Sequence, residues 1–174
     1  MAVLRAHASV AETGESPFAV RITAGDHVFT GDEGLSAGGG GLGPSPFELL
    51  SAALAECTAM TMRWYAREQG WSVDGIEVAV DYSRRQFAGA STAVDVFEKT
   101  ISIRSAALSA EQRTRLLDVA GKCPVQRTLE KVSLITTLVQ PAPGGEAMAD
   151  ASGNIPAGGG SDRANEGQGA EPRP

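Results

Sequence analysis

The sequence has 174 residues, a formal net charge of −6 and 5% aromatic residues, which suits one domain whose core leans on Val, Leu, Ile and Ala. An acidic chain without a basic block offers no footprint for a phosphate backbone, and no apolar run approaches the ~20 residues of a membrane helix, so neither nucleic acid nor membrane is an expected partner. The N-terminal stretch MAVLRAHASVAE lacks the apolar segment of a signal peptide, which predicts a cytoplasmic protein, a setting where two cysteines rarely form a permanent staple.

Residues 3–12 read as a first strand. Gly14 to Pro17 make a turn, and Phe18, Val20 and Ile22 then alternate on one side of a second strand. Ala24-Gly25-Asp26 is a tight turn that returns His27-Val28-Phe29 as a hairpin partner. The following LSAGGGGLGPS, 35–45, resembles a phosphate cradle in composition. It lacks the Gly-Lys-Ser/Thr or the acidic strand end that such a cradle needs, so it reads as an entry loop.

The next stretch, SPFELLSAALAECTAMTMRWYAREQG, 45–70, predicts one long helix. Pro46 sits where a first helical residue needs no N–H. Ser45 and Glu48 have the spacing of a capping box, and Gly70 closes the far end. Leu50, Leu54, Cys57, Thr61 and Trp64 recur at steps of four and three, which predicts one buried face. A mid-helix cysteine on such a face is either a small core hydrophobe or a thiolate nucleophile at the floor of a dry pocket.

After the helix, Ile76, Val78, Val80 and Tyr82 alternate with Glu77 and Asp81, as in a half-buried strand. Val94 to Arg104 is its hairpin partner, with Phe97, Ile101 and Ile103 inward. Ser109 and Gln112 form a second capping box before a helix through Leu116, Leu117 and Ala120, ended by Gly121. Cys123-Pro124 opens a further helix with the thiol at the N-cap. There the free N–H groups and Arg127 favour a thiolate, whereas the plain alternative is a passive cap. Val132 to Val139 predicts a last, central strand. From Pro141 the composition turns to Gly, Pro, Ala and acidic residues, which predicts a disordered tail over 141–174. The order β-β-β-α-β-β-α-α-β is α+β. His7 and His27 stand far from each other and from the cysteines in sequence, so no metal site is expected.

GPSPFELLSAALAECTAMTMRWYA, 43–66, and KCPVQRTLE, 122–130, resemble the OsmC/Ohr family of osmotically induced and organic hydroperoxide resistance proteins. The resemblance covers residues 1–140, as an OsmC-like domain. It implies the OsmC-like fold, antiparallel sheets around long central helices in an intertwined dimer. It also implies a thiol peroxidase without cofactor or metal, acting in oxidative or osmotic stress defence. Cys57 would attack an organic hydroperoxide and become a sulfenic acid, and Cys123 would condense with it to a disulfide. A dithiol of the dihydrolipoamide type would then reduce that bond. A free thiol is only ~3% ionised at pH 7, so a cation must favour the thiolate. In the peroxidase branches an Arg held by a Glu does so. Glu48 matches that Glu. The turn that would carry the Arg, Thr13 to Pro17, holds none, and Arg21, Arg63, Arg67 and Arg127 remain as sources. A second reading is therefore a catalytically weak or inactive OsmC-like domain that binds a small apolar ligand.

Glu48 and Cys57 are nine positions apart, hence turned by about 180° and separated by ~13 Å along a straight helix. Glu48 can reach a thiolate only in another chain, which predicts a homodimer.

Overall fold

The computed structural model describes residues 5–89, 91–131 and 133–138. Strands β1 (Ala8–Glu12), β2 (Val20–Ala24) and β3 (His27–Gly31) form a three-stranded antiparallel sheet. Helix α1 (Pro46–Glu68) follows the glycine-rich loop, and β4 (Gly75–Arg85) pairs with β5 (Val94–Arg104) as a long hairpin. Helices α2 (Ala110–Ala120) and α3 (Pro124–Leu129) come next. The described architecture is α+β, with strands paired locally and helices kept apart from them in sequence.

Local chemistry sets the ends of the elements. Ser45 and Glu48 cap α1 reciprocally, and Ser109 and Gln112 do the same for α2. Gly70 takes the left-handed conformation, φ 65°. Its N–H donates to Arg67 O and that of Trp71 to Ala66 O, which closes the last turn of α1. The β4–β5 register opposes Ile76 to Ile103, Val78 to Ile101 and Tyr82 to Phe97, so the alternating apolar residues meet on one face. That face packs on α1 and α2 around Met62, Ala66, Val73, Leu108, Leu116 and Ala120.

Two expectations are corrected. The buried face of α1 runs through Ser51, Leu54, Thr58, Met62 and Ala66. Only Leu54 belongs to the predicted face, and Trp64 is exposed. Period alone cannot choose between two semi-apolar faces one residue apart, whereas packing against β4 and α2 does. The second correction concerns the last strand, predicted over 132–139. Residues 133–138 hold no regular structure, and Leu134, Ile135 and Leu138 are exposed. A strand exists through its ladder, and among the described strands none pairs with this segment. Contacts divide the chain after Leu134, and the predicted tail, 141–174, lies outside the described residues.

The glycine-rich loop does form a cradle, and it holds a carboxylate of its own chain. Asp32, 3% exposed, accepts from Ser16 Oγ (2.8 Å) and from the N–H groups of Glu33 (2.8 Å), Gly40 (2.9 Å) and Leu42 (3.2 Å). Burial pushes its carboxyl up, but these four donors outweigh it and hold Asp32 below the ordinary range. At Gly39 a Cβ would lie 2.0 Å from Glu33 O, so the close wrap requires glycine there.

Candidate active site

Cys57 and Cys123 come from α1 and from the turn before α3, and the fold brings them together. Cys123 is fully buried and Cys57 half-buried, and both are free thiols. Thr58, one residue past Cys57 and also fully buried, points its Oγ1 at Cys123 Sγ, 3.5 Å away. The Thr58 hydroxyl also donates to Leu54 O (2.8 Å), so one proton serves either acceptor. Cys123 caps α3 as its position implied, accepting from Gln126 N–H at 3.4 Å. Helix α3 has 6 residues, too few aligned peptides for a large dipole, so individual donors matter more here.

Those donors set the charge state. Burial pushes the Cys123 thiol up. The Thr58 hydroxyl, the Gln126 N–H, the Cys57 thiol and the positive charge of Lys99 together overcome that, and Cys123 titrates below its ordinary value.

Lys99 is the residue that sequence reading passed over. It lies on β5 opposite Val80, in the inward row of Phe97, Ile101 and Ile103. A lysine at an apolar position of an alternating strand was the available signal. Its Nζ donates to Gln126 Oε1 (2.6 Å) and to Ala120 O (3.0 Å), on either side of Cys123 in the chain. The arginines named from sequence lie elsewhere. Arg63 donates to Val73 O at 2.5 Å, and Arg21, Arg67 and Arg127 are exposed.

Between α1, β5 and α3 lies a cavity of ≈ 500 Å³, which neither thiol lines but which reaches Leu54 and Gln126, each three residues from a cysteine. Phe47, Leu50, Leu54, Phe97 and Leu129 form its apolar wall, and Asp95, Lys99, Gln126 and Glu130 its polar side. Phe47 stacks on Tyr82 at 4.2 Å, and Tyr82 tilts against Phe97 at 5.2 Å. An apolar chamber with a few convergent polar groups suits a small, mostly apolar ligand. Glu48 is not part of this group. It is exposed, and its Oε2 accepts from Ser45 N–H (2.7 Å) and Ser45 Oγ (2.9 Å), bonds that lower its carboxyl pKa. No group of three or more His, Cys, Asp or Glu placed to hold a metal ion occurs among the described residues.

A family profile described as OsmC-like protein matches residues 38–137, more than half of the chain. The chain belongs to the OsmC-like protein family. Solved structures agree on the fold. An OsmC-like protein of Mycoplasma pneumoniae superposes with a TM-score of 0.61 at 18% identity, over 74% of this chain and 89% of that one. The organic hydroperoxide resistance protein OhrB of Bacillus subtilis gives 0.54 at 21% identity, over 73% and 91%. An organic hydroperoxide resistance protein OsmC from Legionella pneumophila gives 0.57 at 17%, over 74% and 91%. Curated protein sequences offer no match. This OsmC-like protein thus has the OsmC/Ohr fold, and among its described residues no helix is long and apolar enough to cross a membrane.

Proposed function

We propose that this OsmC-like protein is a thiol-dependent peroxidase that reduces organic hydroperoxides to alcohols. The observation that carries the reading is the convergence of α1 and the N-cap of α3, each bearing a thiol, one half-buried and one buried, next to an apolar cavity lined by residues of both helices. Structurally similar proteins named for organic hydroperoxide resistance point the same way.

In this reading the Cys57 thiolate attacks the terminal region of the O–O bond. The bond breaks, the alkoxide takes a proton and leaves as alcohol, and Cys57 becomes a sulfenic acid. The Cys123 sulfur attacks that sulfenic sulfur, and hydroxide leaves as water with the thiol's proton. A dithiol reductant of the dihydrolipoamide class then reduces the Cys57–Cys123 disulfide and becomes a cyclic disulfide itself. Two electrons pass from dithiol to hydroperoxide, and no other redox group takes part.

Glu48 enters from a second copy in this scheme. It stands in the first turn of α1, nine positions before Cys57 and on the other side of the helix. Val10, Val28, Trp64, Leu134 and Ile135 are exposed in one chain, which supports a homodimer with an interface above the ~1,000 Å² floor of a biological contact. Light scattering at low micromolar concentration reports the assembly.

The test is a thiol count after one equivalent of cumene hydroperoxide. The peroxidase loses both thiols rapidly, and Cys57→Ser consumes no peroxide. Cys123→Ser completes a first turnover and leaves a trappable sulfenic acid. Thiols that survive the peroxide support the other reading, in which the apolar cavity binds a small ligand without turnover.

A further inference from the structure

Lys99 is a charged side chain placed where the β5 alternation calls for an apolar one. A part-buried ammonium is costly to desolvate unless it is bonded or meets an opposite charge. Its two bonds, to Gln126 Oε1 and Ala120 O, go to neutral groups. Neither carboxylate sharing its cavity, Asp95 or Glu130, is bonded to it. Asp95 accepts from Tyr82 Oη, and Glu130 accepts from Gln126 Nε2. The ammonium therefore stands ready to balance a negative charge that forms nearby.

We propose that Lys99 is a positioning residue of the thiol pair: through Gln126 and Ala120 it clamps the turn that carries Cys123, and its charge supports a thiolate on that sulfur. The bonds make a connected path. Lys99 holds the Gln126 side chain, the Gln126 N–H meets Cys123 Sγ, and Thr58 meets the same sulfur from α1. Of the other charges near by, Glu130 caps the end of α3 and accepts from Gln126 Nε2, while Lys122 and Arg127 are exposed to solvent.

The arrangement has a chemical consequence that rests on the proposed peroxidase reading. In the reductive half, a dithiol thiolate attacks Cys57, the more accessible sulfur, the S–S bond breaks, and Cys123 leaves as the stabilised thiolate. The lower the pKa of the leaving thiol, the faster that step.

The test needs neither peroxide nor reductant, so its failure is distinct from failure of the peroxidase reading. In the full chain carrying Cys57→Ser, Cys123 is the remaining thiol, and its thiolate absorbance near 240 nm is followed against pH. Adding Lys99→Met keeps the apolar stem and removes the charge. The titration midpoint should rise, with about tenfold less thiolate at pH values below both midpoints. Lys99→Arg should restore most of it, which a purely steric role would not predict. Should Lys99→Met fail to fold by circular dichroism, Gln126→Met cuts the link while leaving the charge, and should raise the midpoint by a smaller amount. A midpoint unmoved by whichever of these variants folds overturns the proposal, as does an arginine variant that behaves like methionine.

Discussion

Thr58 Oγ1 lies 3.5 Å from Cys123 Sγ, joining the middle of α1 to the cap of α3 across 65 residues of sequence. Both side chains are fully buried. A weak sulfur acceptor and a hydroxyl with a nearer carbonyl partner would be a minor contact if Cys123 were always protonated. Against a thiolate it becomes a charge-assisted bond, roughly twice as strong as a neutral one.

Thr58→Val therefore separates stability from chemistry. Valine keeps the branched shape, so folding should lose only about 1 kcal/mol, the usual worth of a hydrogen bond. The rate of disulfide formation from the reduced pair should fall further than that loss suggests, and the Cys123 titration should move upward. Chemical denaturation and a diamide oxidation time course give the two numbers. A loss of stability with an unchanged titration would assign Thr58 to packing alone.

Asp32 controls the acid limb of stability. Its folded pKa is lowered, by Ser16 and the three backbone donors acting against burial. The stabilisation it provides is present above the unfolded value near 4 and is lost as pH falls through the lower folded value. Asp32→Asn should lower the melting temperature at pH 7 and flatten its decline between about pH 5 and 2. Amide exchange at Gly40 and Leu42 should quicken by about tenfold, because the loop loses its charged acceptor. Melting curves across pH and amide exchange test this, and a parallel acid decline in both proteins would overturn it.

Glu48 has two roles that one substitution can divide. Glutamine also satisfies a capping box. Glu48→Gln should leave the melting temperature at neutral pH nearly unchanged and lower peroxide turnover by about tenfold, if the carboxylate organises a cation at the partner's thiolate. Glu48→Ala should lower both. Turnover that is unaffected by glutamine would leave Glu48 as a helix cap.

Deleting 141–174 removes almost no large apolar side chains. Melting temperature and the assembly seen by light scattering should hardly change. A fall of more than a few degrees would show that this stretch contributes to folding.

Much of the fold was legible from neighbours in sequence. Both capping boxes, the Gly70 stop of α1, the β4–β5 hairpin and the Cys123 cap depend on residues within a few positions of each other, or on strict alternation. Side-chain reach and backbone dihedrals decide these, and the chain carries both wherever it goes. Cys57 and Cys123 could be named, and their family recognised, on the same local grounds.

Tertiary structure decided the remainder. Cys57 and Thr58 are adjacent in sequence, yet only packing against β4 and α2 tells which of them turns most fully inward. The glycine loop read as an entry loop, and only the fold shows it wrapped around Asp32, which sits before it in the chain. Leu134 and Ile135 are apolar enough for a strand, but a strand requires a ladder partner, which no composition supplies. Lys99 stood in plain view within a strand pattern. Its meaning depends on Gln126, Ala120 and Cys123, more than twenty residues away in sequence and adjacent only once β5 and the start of α3 have folded together. Electrostatic effects act through space, so a sequence names the charges while the fold determines which group each one acts on.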